Sequence, residues 1–127
     1  MIETVRVSKA AKDQLITLKR RTGLTQWNEL CRWALCRSLA EPSAPTRVEI
    51  PLEGGVEMDW RTFAGADGDI YLGLLIQRCQ ADGNGVEPQD LAEQLRLHLH
   101  RGIGYLAGDR SIQRIEDLVG LAAAPSG

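Results

Sequence analysis

Three cysteines, two histidines and a run of cations are the side chains of this sequence best suited to chemistry. His98 and His100, with Asp and Glu scattered around them, invite a hydrolytic metal centre. Their spacing argues against it. On a helix, residues two apart point roughly 200° from each other, so the two imidazoles cannot share an ion unless the helix breaks there. Both read as packing or hydrogen-bonding histidines. Cys31 and Cys36 lie on different faces of one predicted helix, and Cys79 is remote. A sulfur-carrying thiol needs exposure and an electropositive setting, whereas Cys31 falls on the apolar stripe of its helix. No Gly-rich phosphate loop leads into Lys and Ser or Thr, and there is no Gly-x-Ser-x-Gly elbow. These patterns predict no enzyme, no catalytic residue, no metal ion and no cofactor.

The cations are concentrated at one end. Up to Arg37 the chain carries Arg6, Lys9, Lys12, Lys19, Arg20, Arg21, Arg32 and Arg37 against Glu3, Asp13 and Glu29, while the formal net charge of the whole is −2. A local basic patch neutralises phosphates whatever the net charge, so the acidic balance does not exclude nucleic acid. Residue types alone support two other readings equally well. Lys and Arg keep an exposed helix face soluble, and the charge asymmetry would also suit head-to-tail packing of subunits.

The elements that must position these residues follow from pattern. Thr4-Val5-Arg6-Val7 alternates as a strand with one buried face. Ser8 stands at a helix N-cap, and Ala11, Leu15, Leu18 and Thr22 form the buried stripe that follows, with Lys9, Lys12, Lys19 and Arg20 gathered around Ile16 on the other side. Gly23 suits a left-handed C-cap, and Thr25 is expected to cap a second helix with the stripe Trp27, Leu30, Cys31, Ala34, Ser38 and Leu35 at its edge. Pro42 and Pro45 end that helix. Thr46 to Leu52 alternates but contains Pro51, which predicts an extended arm or edge strand, with a turn at Gly54-Gly55.

Asp59 is expected to cap a short helical piece through Trp60 and Phe63. A helix from about Asp69 to about Ala81 has a broad apolar face from Ile70, Tyr71, Leu74 and Leu75, which predicts deep burial. Pro88, with Glu87 and Asp90 nearby, opens the longest helix, along Leu91, Leu95, Leu99 and Ile103. Ser111 is expected to cap a last helix through Ile112, Ile115, Leu118 and Val119. The fold class is mainly α, a short N-terminal strand followed by a helical bundle.

The string Ser8-Lys9-x-Ala11-Lys12-Asp13-Gln14-Leu15-x-x-Leu18-Lys19-x-Arg21-Thr22-Gly23, followed by Trp27-Asn28-x-Leu30-Cys31-Arg32-Trp33-Ala34, resembles the DndE family of DNA sulfur modification proteins. Val56-Glu57-Met58-x-Trp60, Asp69-Ile70-Tyr71-Leu72, Gln77-Arg78-Cys79 and Leu95 to Leu106 agree with it. The likeness spans roughly residues 4 to 107, and its strand-helix-helix start is ribbon-helix-helix-like. It implies a homotetramer that binds duplex DNA, nicked duplex included, as the non-catalytic subunit of a phosphorothioation system. Its partners would be the other phosphorothioation proteins, among them a cysteine desulfurase, a sulfurtransferase-like protein and an ATPase. By position, the matching DNA-binding cations are Lys9, Lys12, Lys19, Arg20 and Arg21. Arg6 would join them if the strand entered a groove. A structural scaffold subunit and a ribbon-helix-helix repressor are the alternatives.

With 127 residues, 43% hydrophobic and 25% charged, the chain has the size and composition of one domain with its own core. Residues 1–121 are expected to form it, with 122–127 a disordered tail. No apolar stretch has the length of a membrane span, Met1 leads into no secretory segment, and the odd cysteine count suits a reducing compartment. These features predict a cytoplasmic protein without membrane contact.

Overall fold

The computed structural model describes residues 2–123. The chain forms strand β1 (Thr4–Val7), helices α1 (Lys9–Thr22) and α2 (Trp27–Leu39), strand β2 (Val56–Asp59), and short helix α3 (Trp60–Ala64). A 3-10 turn over Gly65–Asp67 leads to α4 (Gly68–Ala81), α5 (Pro88–Gly108) and α6 (Ile115–Ala123). The mainly α architecture with a short N-terminal strand is the one the sequence predicts.

The first two helices follow their patterns closely. The Ser8 hydroxyl accepts the Ala11 N–H at 3.0 Å, satisfying one of the orphan donors of the first turn of α1. Ala11, Leu15, Leu18 and Thr22 are its buried residues, and Gly23 ends it in the left-handed region, at φ 76°. In α2 the buried residues are Leu30, Cys31, Ala34, Leu35 and Ser38. Its N-cap is Gln26 rather than Thr25, without a side-chain capping bond, so this helix starts on its packing rather than on a cap.

The strands form one antiparallel pair, with Thr4 opposite Asp59 and Val7 opposite Val56. One edge of β1 is therefore taken by its own chain, and α5 packs against the strand as well. Residues 46–52, expected as an arm or edge strand, carry no regular structure. Pairing begins after the Gly54-Gly55 turn, where Val56-Glu57-Met58-Asp59 alternates free of proline.

Two further expectations need correction. The apolar face of α4 is not deeply buried: only Leu75 and Cys79 are, whereas Ile70 is 61% and Leu74 40% exposed. Hydrophobic breadth reported apolar surface, not what covers it. The last helix begins at Ile115, not at Ser111, which instead bonds to the Asp109 carboxylate in a tight turn. There the carboxylate of Asp117 accepts the Gln113 N–H at 2.8 Å and the Arg114 N–H at 3.1 Å, a capping role supplied from inside the helix. The tail expected from residue 122 starts within α6, and residues 124–127 lie outside the described residues.

The core is centred on α5, whose Leu91, Leu95, Leu99, Ile103 and Leu106 pack against α1, α2, α4 and β1. Where α2 and α5 cross, a Cβ added to Gly102 would lie 1.8 Å from the Ala34 carbonyl oxygen. Only a hydrogen fits between these two backbones.

Two arginines fix the exit from α2. Arg78 donates to the carbonyl oxygens of Leu39, Glu41 and Ser43 while its Nε lies 3.0 Å from Asp82. Arg101 donates to the Ser38 hydroxyl and to the Ser38 and Ser43 carbonyls. The chain leaving α2 thus has its carbonyls satisfied by side chains where no helix can continue past Pro42.

The α2–α5 crossing gives a paired prediction. Gly102→Ala should destabilise the fold by about 3 kcal/mol or more, because the obstruction is backbone and cannot rotate away. Gly104→Ala, in the same helix with nothing within 4 Å of the new methyl, should instead stabilise by about 0.5–1 kcal/mol. Urea midpoints of the two variants are the check, and equal midpoints would refute the close-approach argument.

Candidate nucleic-acid interface

At about 100° per residue, Lys9, Lys12, Ile16, Lys19 and Arg20 occupy one outward arc of α1, opposite its buried stripe. Lys9 to Arg20 covers about 16 Å of helix axis, several phosphate spacings of a duplex. Lys9, Lys12 and Arg20 have no ion-pair or side-chain hydrogen-bond partner among the described residues, and Asp13 is the one carboxylate nearby on the helix. The stem of Lys9 lies along the turn before β2, its Cδ 3.6 Å from where a Gly54 Cβ would stand. That support orders the stem and leaves the ammonium in solvent.

The other expected cations are engaged within the protein. Lys19 places Nζ over the Trp27 ring, 3.5 Å from its centroid, a cation–π contact joining α1 to α2. Arg21 lies off the arc and donates through Nη1 to the Ala107 carbonyl at 3.0 Å, pinning the end of α1 to α5. Arg6 on β1 sits 3.8 Å from Glu57 on β2. In the last turn of α1, Lys19, Arg20 and Arg21 also oppose the partial negative charge of the helix C-terminus. The six candidates thus divide into three free cations on one arc and three that also hold the fold.

The histidines and cysteines lie elsewhere. His100 accepts the Ser8 N–H through Nε2 at 3.0 Å, and its Nδ1 meets the Arg96 carbonyl at 2.7 Å. This pattern requires neutral imidazole with the proton on Nδ1. His98 is fully buried, its Nδ1 2.8 Å from the Ser38 hydroxyl and its Nε2 without a partner. The two rings serve different elements, the β1–α1 junction and α2. Sequence reasoning read both as packing or hydrogen-bonding side chains but missed the partners, because Ser8 and Ser38 are 92 and 60 residues away.

Cys31 and Cys79 are buried and Cys36 is exposed. Burial pushes the Cys31 thiol up to about 12, with Arg32 opposing weakly, and desolvation raises the other two as well. Among the described residues no cluster of three or more His, Cys, Asp or Glu could hold a metal ion, and no helix is long and apolar enough to cross a membrane.

Burial, then the neighbouring Arg101 and Arg78 charges, lower the His98 pKa from 6.5 to about 4, and burial lowers that of His100 too. Depressed folded values mean that the unfolded chain binds more protons between these limits. Stability should therefore fall as pH drops from about 6.5 to about 4, with His98 contributing about 2–3 kcal/mol of that loss. Urea unfolding at a series of pH values checks this: the non-titrating His98→Gln should flatten the profile, and a wild-type profile already flat above pH 4.5 would refute it.

Comparison with known proteins bears on what this arrangement serves. A family model described as DndE, DNA sulphur modification protein DndE, matches residues 4–114. Among curated proteins there is no match. Among solved structures, the crystal structure of DndE from Escherichia coli B7A, involved in DNA phosphorothioation modification, is similar with a TM-score of 0.70 and 26% identity, over 84% of this chain and 98% of that one. The matched span runs from β1 to the loop before α6 and includes the basic arc, both histidines and the α2–α5 crossing. The chain belongs to the DndE family of DNA sulphur modification proteins.

Proposed function

We propose that this protein is a non-catalytic DNA-binding subunit of a DNA phosphorothioation system, acting in the cytoplasm alongside the system's other proteins. The observation that carries the reading is the outward arc of α1, where Lys9, Lys12 and Arg20 have no partner among the described residues while most other arginines near the core are engaged. Three cations on one straight helix fit a row of backbone phosphates and release counterions on contact, giving affinity without base readout. Arg21 and Lys19 position the arc; they hold α1 against α5 and α2. Intact and nicked duplexes share the phosphate row, so the arc alone predicts binding to both. A homotetramer would repeat the arc and multiply affinity by avidity.

The scaffold reading has its own supporting observation. Ile70 and Leu74 leave an apolar stripe exposed on α4, beside a cleft lined by Glu29, Arg32, Trp33, Cys36 and Tyr71. Such a surface suits a protein partner. A groove-reading repressor has less behind it, since one edge of β1 is occupied by β2 and Arg6 is paired with Glu57.

Salt-dependent binding to intact, nicked and sequence-scrambled duplexes tests the proposal. Wild type should bind all three with a steep slope of log K against log salt, and Lys9→Ala/Lys12→Ala/Arg20→Ala should flatten that slope by about 2–3 units. Unchanged slopes would turn the arc into a solvated surface and favour the scaffold reading.

A further inference from the structure

The segment leaving α2 is unusual for a chain with so well filled a core. Among the described residues, the N–H and C=O groups of residues 46–50 make no hydrogen bond. The segment is held at its start, where Arg78 and Arg101 bind the Ser43 carbonyl, and at its end, where β2 begins. Between these anchors it stands off α5 over a cleft of about 670 Å³. One ion pair, Arg47 to Glu93 at 3.2 Å, spans that cleft, and it is exposed. Val48 is 56% exposed. An alternating segment with an open backbone and a β-branched residue more than half exposed is able to take a neighbouring strand, although it carries no regular structure by itself.

The order of its charges says which neighbour fits. We infer that residues 46–50 pair antiparallel with the same residues of a second copy of this chain, around a two-fold axis at Val48. In that register Arg47 faces Glu49 of the partner subunit and Glu49 faces the partner subunit's Arg47, giving two cross-strand ion pairs on one face. Val48 meets the partner's Val48 on the other face, flanked by Thr46 and Ile50. Directly opposed residues share a face of the ribbon, so the charges and the valines separate as pairing requires. A slip of one residue loses both ion pairs. A slip of two sets Arg47 against the partner's Arg47, or Glu49 against the partner's Glu49. Like charges directly opposite are unfavourable, so this sequence selects one register.

Pro45 and Pro51 bound the segment, and neither can donate to a ladder. The ribbon is therefore limited to five residues and does not grow into an open-ended sheet. A foreign strand would need no such palindromic order of charges, which is why the occupant is a second copy. The inference stands on the arm alone and is independent of DNA contact.

Charge reversal tests it. Wild type should show an associated species by sedimentation velocity, and Arg47→Glu or Glu49→Arg alone should reduce its mass about twofold at the same concentration. An equimolar mixture of the two single variants should restore the wild-type mass, since each strand then offers the charges the other lacks. The double variant Arg47→Glu/Glu49→Arg should associate as wild type does. In a Cys36→Ser background, Val48→Cys should oxidise to a disulfide-linked dimer, because the axis brings that position against itself. Restoration by mixing also separates a lost interface from a lost fold. A monomeric wild type, single variants of unchanged mass, no restoration on mixing, or no cross-link at position 48 would each overturn the inference.

Discussion

The crossing of α2 over α5 sets the geometry of this molecule. The Ala34 carbonyl lies against Gly102 with no room for a methyl group, so the two helices approach as closely as backbones can. That contact places Ser38 above His98 and within reach of Arg101, and it fixes where α2 must end. From that end the chain is led across the Arg78 and Arg101 side chains into the arm and on to β2. On the opposite side of α5, His100 accepts the Ser8 N–H and so fixes the start of α1. The basic arc is thus aimed by α5, through one imidazole at its beginning and the Arg21 bond to Ala107 at its end.

Burial of a polar network at such a crossing has an energetic character of its own. The hydroxyl of Ser38 serves both Arg101 and His98, so each partner is worth more in place than its single bond suggests. The orphaned Nε2 of His98 is a cost retained inside that network. It is tolerated where packing elsewhere along α5 is nearly complete.

Local chemistry was legible in the sequence wherever one residue decides it. Ser8, Gly23 and Asp59 cap as their types require, and the stripes of α1 and α2 are buried as their periods indicate. Long-range decisions were not legible. The apolar breadth of α4 is the same whether a neighbour covers it or not, and only the fold shows that Ile70 lies open. Val56 to Asp59 is too short to stand out from the preceding alternation, and its pairing depends on β1, some fifty residues earlier. For the candidate site, the arc was visible as a helical face, but periodicity cannot tell a free cation from an engaged one. Lys12 and Lys19 look alike in sequence, yet only Lys19 meets a tryptophan ring. The net charge was equally mute, because it sums groups that the fold keeps apart.

The condition of the thiols has a chemical consequence for a family concerned with sulfur. A thiol held near 12, as Cys31 is, has about one molecule in 10⁵ ionised at neutral pH. Transfer of sulfane sulfur between cysteines proceeds through the thiolate, so this residue is a poor acceptor however close a donor comes. The desolvation of Cys79 and of the more accessible Cys36 acts in the same direction. Burial thus makes the Cys31 thiol a packing group of the core rather than an acceptor of sulfur.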